Sequence, residues 1–172
     1  MKIVLIGYMF SGKTTVGKRI AKMLDFPFID TDFEIEKRCR LSVEDIFKLK
    51  GEEFFRQEEH SLFSELMQRD NIVISAGGGL PVCKDNMQLI KQNCKSIYLN
   101  LTPSQILSRA KNSKKIRPLI HSLPEEERLK FITKSLQERE KFYRQADITI
   151  GGLNVSDFIL EMTLKELNKD LW

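Results

Sequence analysis

The sequence predicts an α/β fold, a three-layer sandwich in which helices flank both faces of a five-stranded parallel sheet. Five short apolar runs alternate with charged segments whose apolar residues recur at helical spacing. Polar or glycine-rich motifs directly follow three of the runs, after Ile6, Ile29 and Ser75. Because the carboxyl ends of parallel strands meet at one edge of a sheet, these motifs are expected to form one site.

The elements follow from these patterns in chain order. The predicted strands are 2–6, 26–29, 72–75, 95–100 and 147–150. The predicted helices are 13–24, two or three over 33–70 with breaks near Ser42 and Gly51, about 82–93, one starting at Thr102-Pro103, 124–145 and 155–169. The last helix is expected to bury an apolar face that contains Val155, Phe158, Ile159, Met162 and Leu167. The basic stretch 111–122 has few large apolar residues and is predicted to be a loop.

Length and composition indicate one globular domain, residues 1–172, with 41% hydrophobic and 30% charged residues. A net charge of +4 is too small to favour nucleic acid or a membrane surface as a partner. The cysteines Cys39, Cys83 and Cys94 have no metal-binding spacing and are expected to be reduced, half-buried packing residues. The short apolar start lacks a cleavage site and no segment is long enough to span a bilayer, so we expect a cytoplasmic protein. No surplus apolar surface segment stands out in the sequence, so we expect a monomer.

A phosphate-binding loop follows the first strand. The pattern GxxxxGK[ST] is matched by Gly7-Tyr8-Met9-Phe10-Ser11-Gly12-Lys13-Thr14, and Thr15 lies in the first turn of the next helix. Such a loop turns its N–H groups towards phosphate oxygens at a positive helix end. Lys13 is expected to reach the β- and γ-phosphates, and the Thr14 hydroxyl to ligate Mg²⁺. The segment therefore predicts binding of a nucleoside triphosphate.

Two carboxylates, Asp30 and Asp32, follow the second strand, whereas the third strand ends in Ser75-Ala76-Gly77 without one. Side chains two apart in an extended chain point the same way, so both carboxylates are expected to face the site. One would hold the water shell of Mg²⁺ and the other would accept a proton from a substrate hydroxyl. Alternatively, one of them only caps a helix that begins near Phe33.

The triple glycine Gly77-Gly78-Gly79 has two interpretations. It is either a flexible turn before a helix or, as we favour, a tight turn whose N–H groups meet an anion. Arg117 lies in a basic loop that is either solvated or closes over the phosphates.

The other charged residues that could belong to the site can also be explained as ordinary surface or structural residues. Arg56 is close in sequence to Glu52 and Glu59, with which it forms a surface ion pair in the simplest interpretation. Arg139 and Arg144 occupy a charged helix and are by default surface residues. His60 and His121 have no metal spacing and are expected to be structural or exposed.

These motifs together resemble the shikimate kinases, a family within the nucleoside-monophosphate-kinase-like phosphate-loop proteins. The matching segments are GxxxxGKT at 7–14, DTD at 30–32, GEEFFRQEE at 51–59, GGG at 77–79, RPL at 117–119 and ERxxxYxxAD at 138–147. The ordered set covers nearly the whole chain. The resemblance implies a substrate-binding helical segment at about 33–70 and a lid at about 110–123.

The resemblance also implies a reaction, in which ATP and shikimate give ADP and 3-phosphoshikimate on the pathway to chorismate. Asp30 would hold Mg²⁺ through water beside Thr14, and Asp32 would be the base. The guanidinium groups of Arg56 and Arg139 would bind the substrate carboxylate, with Glu59 orienting Arg56.

The family pattern assigns the other contacts as well. Gly78 and Gly79 would contact the substrate through their backbone, with Gly77 beside them. Lys13 and, from the lid, Arg117 would act on the phosphates.

The sequence departs from the family at three places. Phe10 stands where a small residue is usual. Ala110 occupies the position of the adenine-stacking arginine, and Arg109 is one residue earlier. Either the start of the lid shifts by one residue or Arg109 binds the ATP adenine from a different angle. The turn 151–155 lacks the proline that is common there.

Three other functions fit the sequence less well. Another phosphate-loop kinase, acting on gluconate or a nucleotide, would share the fold, but the arginines, Asp32 and the triple glycine favour an acceptor with a carboxylate and a hydroxyl. A noncatalytic nucleotide-binding switch would have no use for Asp32 with Arg56 and Arg139. An RNA-binding module is disfavoured by the modest net charge.

Overall fold

One parallel sheet forms the centre of the molecule. The computed structural model describes residues 1–113 and 118–168. The strands are β1 Lys2–Ile6, β2 Phe28–Asp30, β3 Ile72–Ser75, β4 Lys95–Asn100 and β5 Ile148–Gly151. They pair in parallel in the order β2-β3-β1-β4-β5, with Val4 of the central strand opposite Ile74 on one side and Ser96 on the other. The predicted parallel α/β fold is confirmed.

Helices connect the strands. They are α1 Lys13–Leu24, α2 Thr31–Cys39, α3 Val43–Leu66, α4 Asn86–Asn93, α5 Pro103–Asn112, α6 Pro118–His121, α7 Glu125–Tyr143 and α8 Asp157–Leu167, with a 3-10 turn at Leu80–Val82. Both predicted breaks in the second quarter of the chain are present. Ser42 caps the start of α3 by accepting from the Asp45 N–H, and Gly51, with φ 83° and ψ 166°, kinks that helix.

The sheet separates two apolar layers because side chains alternate along each strand. From β1, Val4 and Ile6 face a core formed with α3, α4, α5 and α7, whereas Ile3 and Leu5 face a core formed with α1 and α8. All four side chains have no exposed surface. A strand buried on both faces is what the continuous apolar run of β1 predicted.

Some element boundaries differ from the predictions. Strand β2 begins two residues later than expected, at Phe28, and α2 begins at Thr31, so Asp32 lies in a helix rather than in extended chain. The predicted helix 82–93 is divided into the 3-10 turn and α4, with Lys84 in a left-handed conformation between them. The predicted loop 111–122 is interrupted, because α5 continues to Asn112 and α6 adds one helical turn.

The predicted buried face of the last helix was wrong in part. Leu167 is buried as expected, but Phe158 is 70% and Met162 50% exposed, and Ile159 is also exposed. The side chains that α8 packs against the sheet are instead Leu160, Thr163, Leu164 and Leu167. This helix carries two apolar stripes at helical spacing, and the hydrophobic pattern alone does not say which one meets the core.

Two of the three cysteines are half-buried as predicted, and the third is buried more deeply. Cys94 is buried, with its Sγ 3.5 Å from Met67 Sδ, and Cys39 and Cys83 are half-buried. All three are thiols rather than disulfides. Across 1–113 and 118–168, no helix has both the length and the apolar character needed to cross a membrane.

Candidate active site

The loop after β1 folds around the Lys13 side chain. The Lys13 ammonium, which is buried, donates to the Gly7 carbonyl at 2.8 Å and to the Tyr8 carbonyl at 2.9 Å. Gly12 is the N-cap of α1 and has φ 97°, a conformation that residues with a β-carbon rarely adopt. The loop therefore delivers a cation at the positive N-terminal end of α1, which is the arrangement that binds phosphate groups.

The first carboxylate after β2 meets this loop. The Thr14 hydroxyl donates to Asp30 Oδ2 at 2.7 Å, while Asp30 Oδ1 accepts from the Phe33 N–H at 3.4 Å. Asp30 thus caps α2, as the simpler interpretation expected, and it also faces the loop. A hydroxyl and a carboxylate side by side are hard oxygen donors, the ligand type that Mg²⁺ prefers.

This pair fits a magnesium ion shared with a nucleotide. Over the described ranges, no group of three or more His, Cys, Asp or Glu side chains is arranged to hold a metal ion. Mg²⁺ in kinases usually takes one or two protein oxygens together with phosphate oxygens and water, so it needs no such group. Thr14 and Asp30 are therefore suited to a metal that arrives with the phosphates.

Asp32 lies in the first turn of α2 and faces the same cavity as Asp30. A β-carbon placed on Gly77 would lie 2.6 Å from both Asp32 Oδ1 and Glu59 Oε1. The expectation that Asp30 and Asp32 share a site is confirmed, but extended-chain geometry is not the reason. The helix turn that starts at Thr31 brings Asp32 over Gly77.

Thr31 connects the start of α2 to the end of β3 and to the triple glycine, and nothing in the sequence pattern predicted this role. Its hydroxyl, which is fully buried, donates to the Ser75 carbonyl at 3.4 Å and accepts from the Gly77 N–H at 2.8 Å. The Gly77 N–H is therefore engaged by Thr31 rather than by an anion, contrary to the expectation for the triple glycine. The tight turn itself is present, since the Leu80 N–H donates to the Gly77 carbonyl at 3.0 Å.

The triple glycine allows side chains from three helices to approach its backbone. Asp32 and Glu59 approach Gly77. Arg139 approaches Gly78, with its Nη1 3.5 Å from a β-carbon placed there. Arg56 approaches Gly79, with its Nη2 2.6 Å from a β-carbon placed there. The latter distance is too short for a real side chain. Gly77 and Gly79 therefore leave the space that these side chains occupy, whereas a β-carbon on Gly78 would make an ordinary contact. None of the three glycines has a positive φ.

Two arginines converge on this turn. Arg56 donates from Nη1 to Glu59 Oε2 at 2.7 Å and from Nη2 to Glu52 Oε1 at 3.1 Å. Arg139 lies over the Tyr8 ring, 5.4 Å from its centroid, and lines the cavity. The default view of Arg139 as a surface residue was wrong, whereas Arg144 is exposed and paired with Glu140 at 2.8 Å as expected.

Tyr143 fixes the end of α7 that carries Arg139. Its ring is fully buried against Tyr98, and its hydroxyl donates to the Gly78 carbonyl at 2.5 Å. Burial raises the pKa of this phenol, so it remains a hydrogen-bond donor over the physiological range. The contact ties α7 to the triple glycine.

Glu59 is the least ordinary group of the site. It is fully buried, Oε2 accepts from Arg56, and Oε1 has no hydrogen-bond partner among the described residues. Burial raises the pKa of this carboxyl to about 7; Arg56 opposes the rise and Asp32 adds to it. Glu59 is thus close to a change of charge near neutral pH.

This shift predicts a pH-dependent stability that Glu59→Gln should remove. With a folded-state pKa raised from 4.5 to about 7, the folded protein holds a proton that the unfolded chain releases. The free energy of unfolding should therefore fall, by up to about 3 kcal/mol, as the pH rises from about 4.5 to 7. Urea unfolding at several pH values should show that the variant gains stability relative to the unsubstituted protein across this window.

The matched control for this measurement is Glu53→Gln, which removes an exposed carboxylate from the same helix. Equal pH profiles for the two variants would contradict the assignment to Glu59.

Most of the predicted residues line one cavity of about 410 Å³, whereas Gly7, Tyr8 and Ser11 of the loop do not. From the loop and its helix these are Met9, Phe10, Gly12, Lys13, Thr14 and Thr15, and from the rest of the chain Asp30, Asp32, Arg56, Gly77, Gly78, Gly79, Arg109 and Arg139. Val43, Phe47 and Phe55 of α3 add an apolar wall that the sequence reasoning missed, since at helical spacing they resemble ordinary core residues.

The remaining predicted residues lie elsewhere. His60 is bonded through Nδ1 to Asn86 Oδ1 at 2.7 Å and does not line this cavity. The His121 ring meets Phe10 edge-on. Both fit the structural role expected of them. Arg117 lies outside the described residues.

The sheet order, the loop around Lys13 and the Thr14–Asp30 pair define a kinase of the phosphate-loop class. The family model for shikimate kinase matches residues 9–167. The chain belongs to the shikimate kinase family.

Individual relatives agree with this assignment. A shikimate kinase of Azobacteroides pseudotrichonymphae is 42% identical over 171 residues, which is 99% of this chain and 96% of that protein. The crystal structure of shikimate kinase from Bacteroides thetaiotaomicron superposes with a TM-score of 0.88 at 35% identity, covering 99% of this chain and 98% of the other. Shikimate kinase from Acinetobacter baumannii in complex with shikimate gives a TM-score of 0.83 at 32% identity, with 99% and 92% covered.

Proposed function

We propose that this protein transfers the γ-phosphoryl group of ATP to the 3-hydroxyl of shikimate, giving 3-phosphoshikimate and ADP. The observation that carries the proposal is the convergence of Asp32, Arg56 and Arg139 around Gly77–Gly79, in the cavity that also contains the phosphate loop. Membership of the shikimate kinase family, and similarity to a relative whose structure is in complex with shikimate, support this choice of acceptor.

The acceptor would lie at the arginine end of the cavity. Two guanidinium groups, from Arg56 and Arg139, suit a planar carboxylate that accepts paired hydrogen bonds. The apolar wall formed by Val43, Phe47 and Phe55 offers a surface for the carbon ring of the acceptor. We propose on this basis that the segment of about 33–70 forms the acceptor-binding side of the domain.

The nucleotide would lie at the loop end. The N–H groups of Gly7–Thr14 and the Lys13 ammonium would bind the β- and γ-phosphates, and Thr14 with Asp30 would hold Mg²⁺, Asp30 through water. When bound, Mg²⁺ supplies positive charge to the phosphate oxygens. We propose that the segment of about 110–123, including Arg117, closes over this end and excludes water.

The chemical step needs one proton acceptor beside the hydroxyl. The hydroxyl oxygen bonds to the γ-phosphorus, its proton passes to the Asp32 carboxylate, and the bond from the γ-phosphorus to the bridging oxygen breaks so that its electron pair leaves with ADP. Lys13 and Arg117 balance the charge on the transferred group. Glu59, through its hydrogen bond from Arg56, would hold that guanidinium towards the acceptor.

A coupled ADP-release assay tests the proposal. Shikimate should stimulate ADP release by about tenfold or more over quinate, gluconate and nucleoside monophosphates at equal concentration. Nucleoside monophosphates have no carboxylate for the arginine pair, whereas quinate and gluconate carry their carboxylate and hydroxyls on a carbon framework of different shape, a saturated ring and an open chain. No stimulation by shikimate would refute the assignment. A preference for gluconate or a nucleotide would favour another phosphate-loop kinase, and ATP binding without turnover on any acceptor would favour a nucleotide-binding switch.

A further inference from the structure

Phe10 has an unusual backbone conformation for a bulky apolar residue. Its φ is 64°, in the left-handed region, where a β-carbon is crowded by the following carbonyl. Within 1–113 and 118–168, the other non-glycine residues with positive φ are all polar or charged, and Asp25 and Arg40 occupy the ordinary left-handed position at a helix end. Phe10 therefore costs free energy that its surroundings must offset.

Arg109 holds the carbonyl of this strained residue. Its Nη1 donates to the Phe10 carbonyl at 3.1 Å, and its Nη2 donates to the Gly152 carbonyl at 2.7 Å. One guanidinium thus joins the phosphate loop to the turn after β5. The Arg109 guanidinium also lies close to Gly12, because a β-carbon added there would be 3.2 Å from Nη1.

The arginine is itself well fixed. Its neighbours along α5, Ile106 and Ala110, are buried in the core, so the helix face that carries Arg109 is set by packing. The His121 ring meets the Phe10 ring edge-on, with the centroids 6.1 Å apart. Phe10 is therefore held through both its carbonyl and its ring.

We propose that Arg109 is a positioning residue which keeps the phosphate loop in its left-handed turn at Phe10. The residues after this turn, Ser11 to Lys13, lead into the N-terminus of α1, where phosphate binds. Losing the turn would misdirect their N–H groups. The inference rests on the proposed function only in that the loop binds the phosphates of ATP, and it differs from the adenine-stacking role that the family resemblance implies for an arginine in this region.

The test is a double-mutant cycle between Arg109→Met and Phe10→Gly, read by calorimetric binding of inorganic tripolyphosphate with Mg²⁺. Tripolyphosphate has no base, so adenine stacking does not contribute. Arg109→Met should weaken binding about tenfold in the unsubstituted background. In the Phe10→Gly background, where glycine adopts the turn without strain, the same change should weaken binding by less than about twofold.

Two further variants keep the test decisive. Phe10→Asn tolerates the left-handed conformation without the flexibility of glycine, and it should rescue Arg109→Met as Phe10→Gly does. Arg144→Met removes the same charge from an exposed site and should leave tripolyphosphate binding unchanged.

Two results would overturn the proposal. An equal loss in both backgrounds would mean that Arg109 attracts the phosphates directly. Unchanged tripolyphosphate binding with weakened ATP binding would mean that it acts on the base. Because no acceptor is present, a protein that binds tripolyphosphate but does not phosphorylate shikimate would refute the proposed function and leave the role of Arg109 supported.

Discussion

Asp32→Asn is expected to lower the turnover number by about 10²- to 10⁴-fold, the usual contribution of a general base, while ATP binding changes little. Asparagine has nearly the same size and shape but no basic oxygen, so it cannot take the proton of the acceptor hydroxyl. The carboxylate it replaces lies over Gly77, apart from the Thr14–Asp30 pair. Steady-state rates with shikimate and calorimetric binding of ATP would measure the two effects separately.

The matched control is Asp70→Asn, which makes the same chemical change at a side chain that is 80% exposed and paired with Lys2. It should leave turnover unchanged. Normal turnover in the Asp32 variant would exclude Asp32 as the base. A parallel loss of ATP binding would instead assign Asp32 to the nucleotide side of the cavity.

Arg139→Lys should raise the KM for shikimate by about 10- to 100-fold with a much smaller change in turnover number. Lysine keeps the charge but presents a point charge in place of a planar pair of donors, and hydrogen bonds to charged groups typically contribute about 1.5–3 kcal/mol. Initial rates over a range of shikimate concentrations at saturating ATP would give both constants.

Arg144→Lys is the control for this experiment, because Arg144 is on the same segment, exposed and paired with Glu140. An unchanged KM in the Arg139 variant would remove Arg139 from the acceptor site. A fall in turnover number at constant KM would show that it acts in the transition state rather than in substrate binding.

The sheet and the phosphate loop could be predicted because their signals are local. Strand β1 is a continuous apolar run, and the loop matches a pattern in which each residue type has a defined role. The placement of Asp30 and Asp32 on the same side of the molecule as the phosphate loop was also predictable, since strand ends meet at one edge of a parallel sheet. The start of α2 at Thr31 was not, because either Asp30 or Asp32 could cap a helix.

What could not be predicted depends on contacts between distant parts of the chain. Helix α8 has two apolar faces, and only its packing against the sheet determines which of them is buried. The raised pKa of Glu59 depends on its burial beside Asp32, which is on another helix. Arg109 reaches Phe10 across 99 residues of sequence, so its spacing from the loop carries no information.

The triple glycine has a consequence for how this enzyme scaffold can change its acceptor. The surface that Gly77–Gly79 presents to the cavity is backbone alone, and the side chains that pack against it come from α2, α3 and α7. A side chain added at Gly77 or Gly79 would occupy space already taken by Asp32, Glu59 or Arg56. New acceptor preferences, whether evolved or engineered, should therefore arise from exchanges on the three helices while these two glycines stay unchanged.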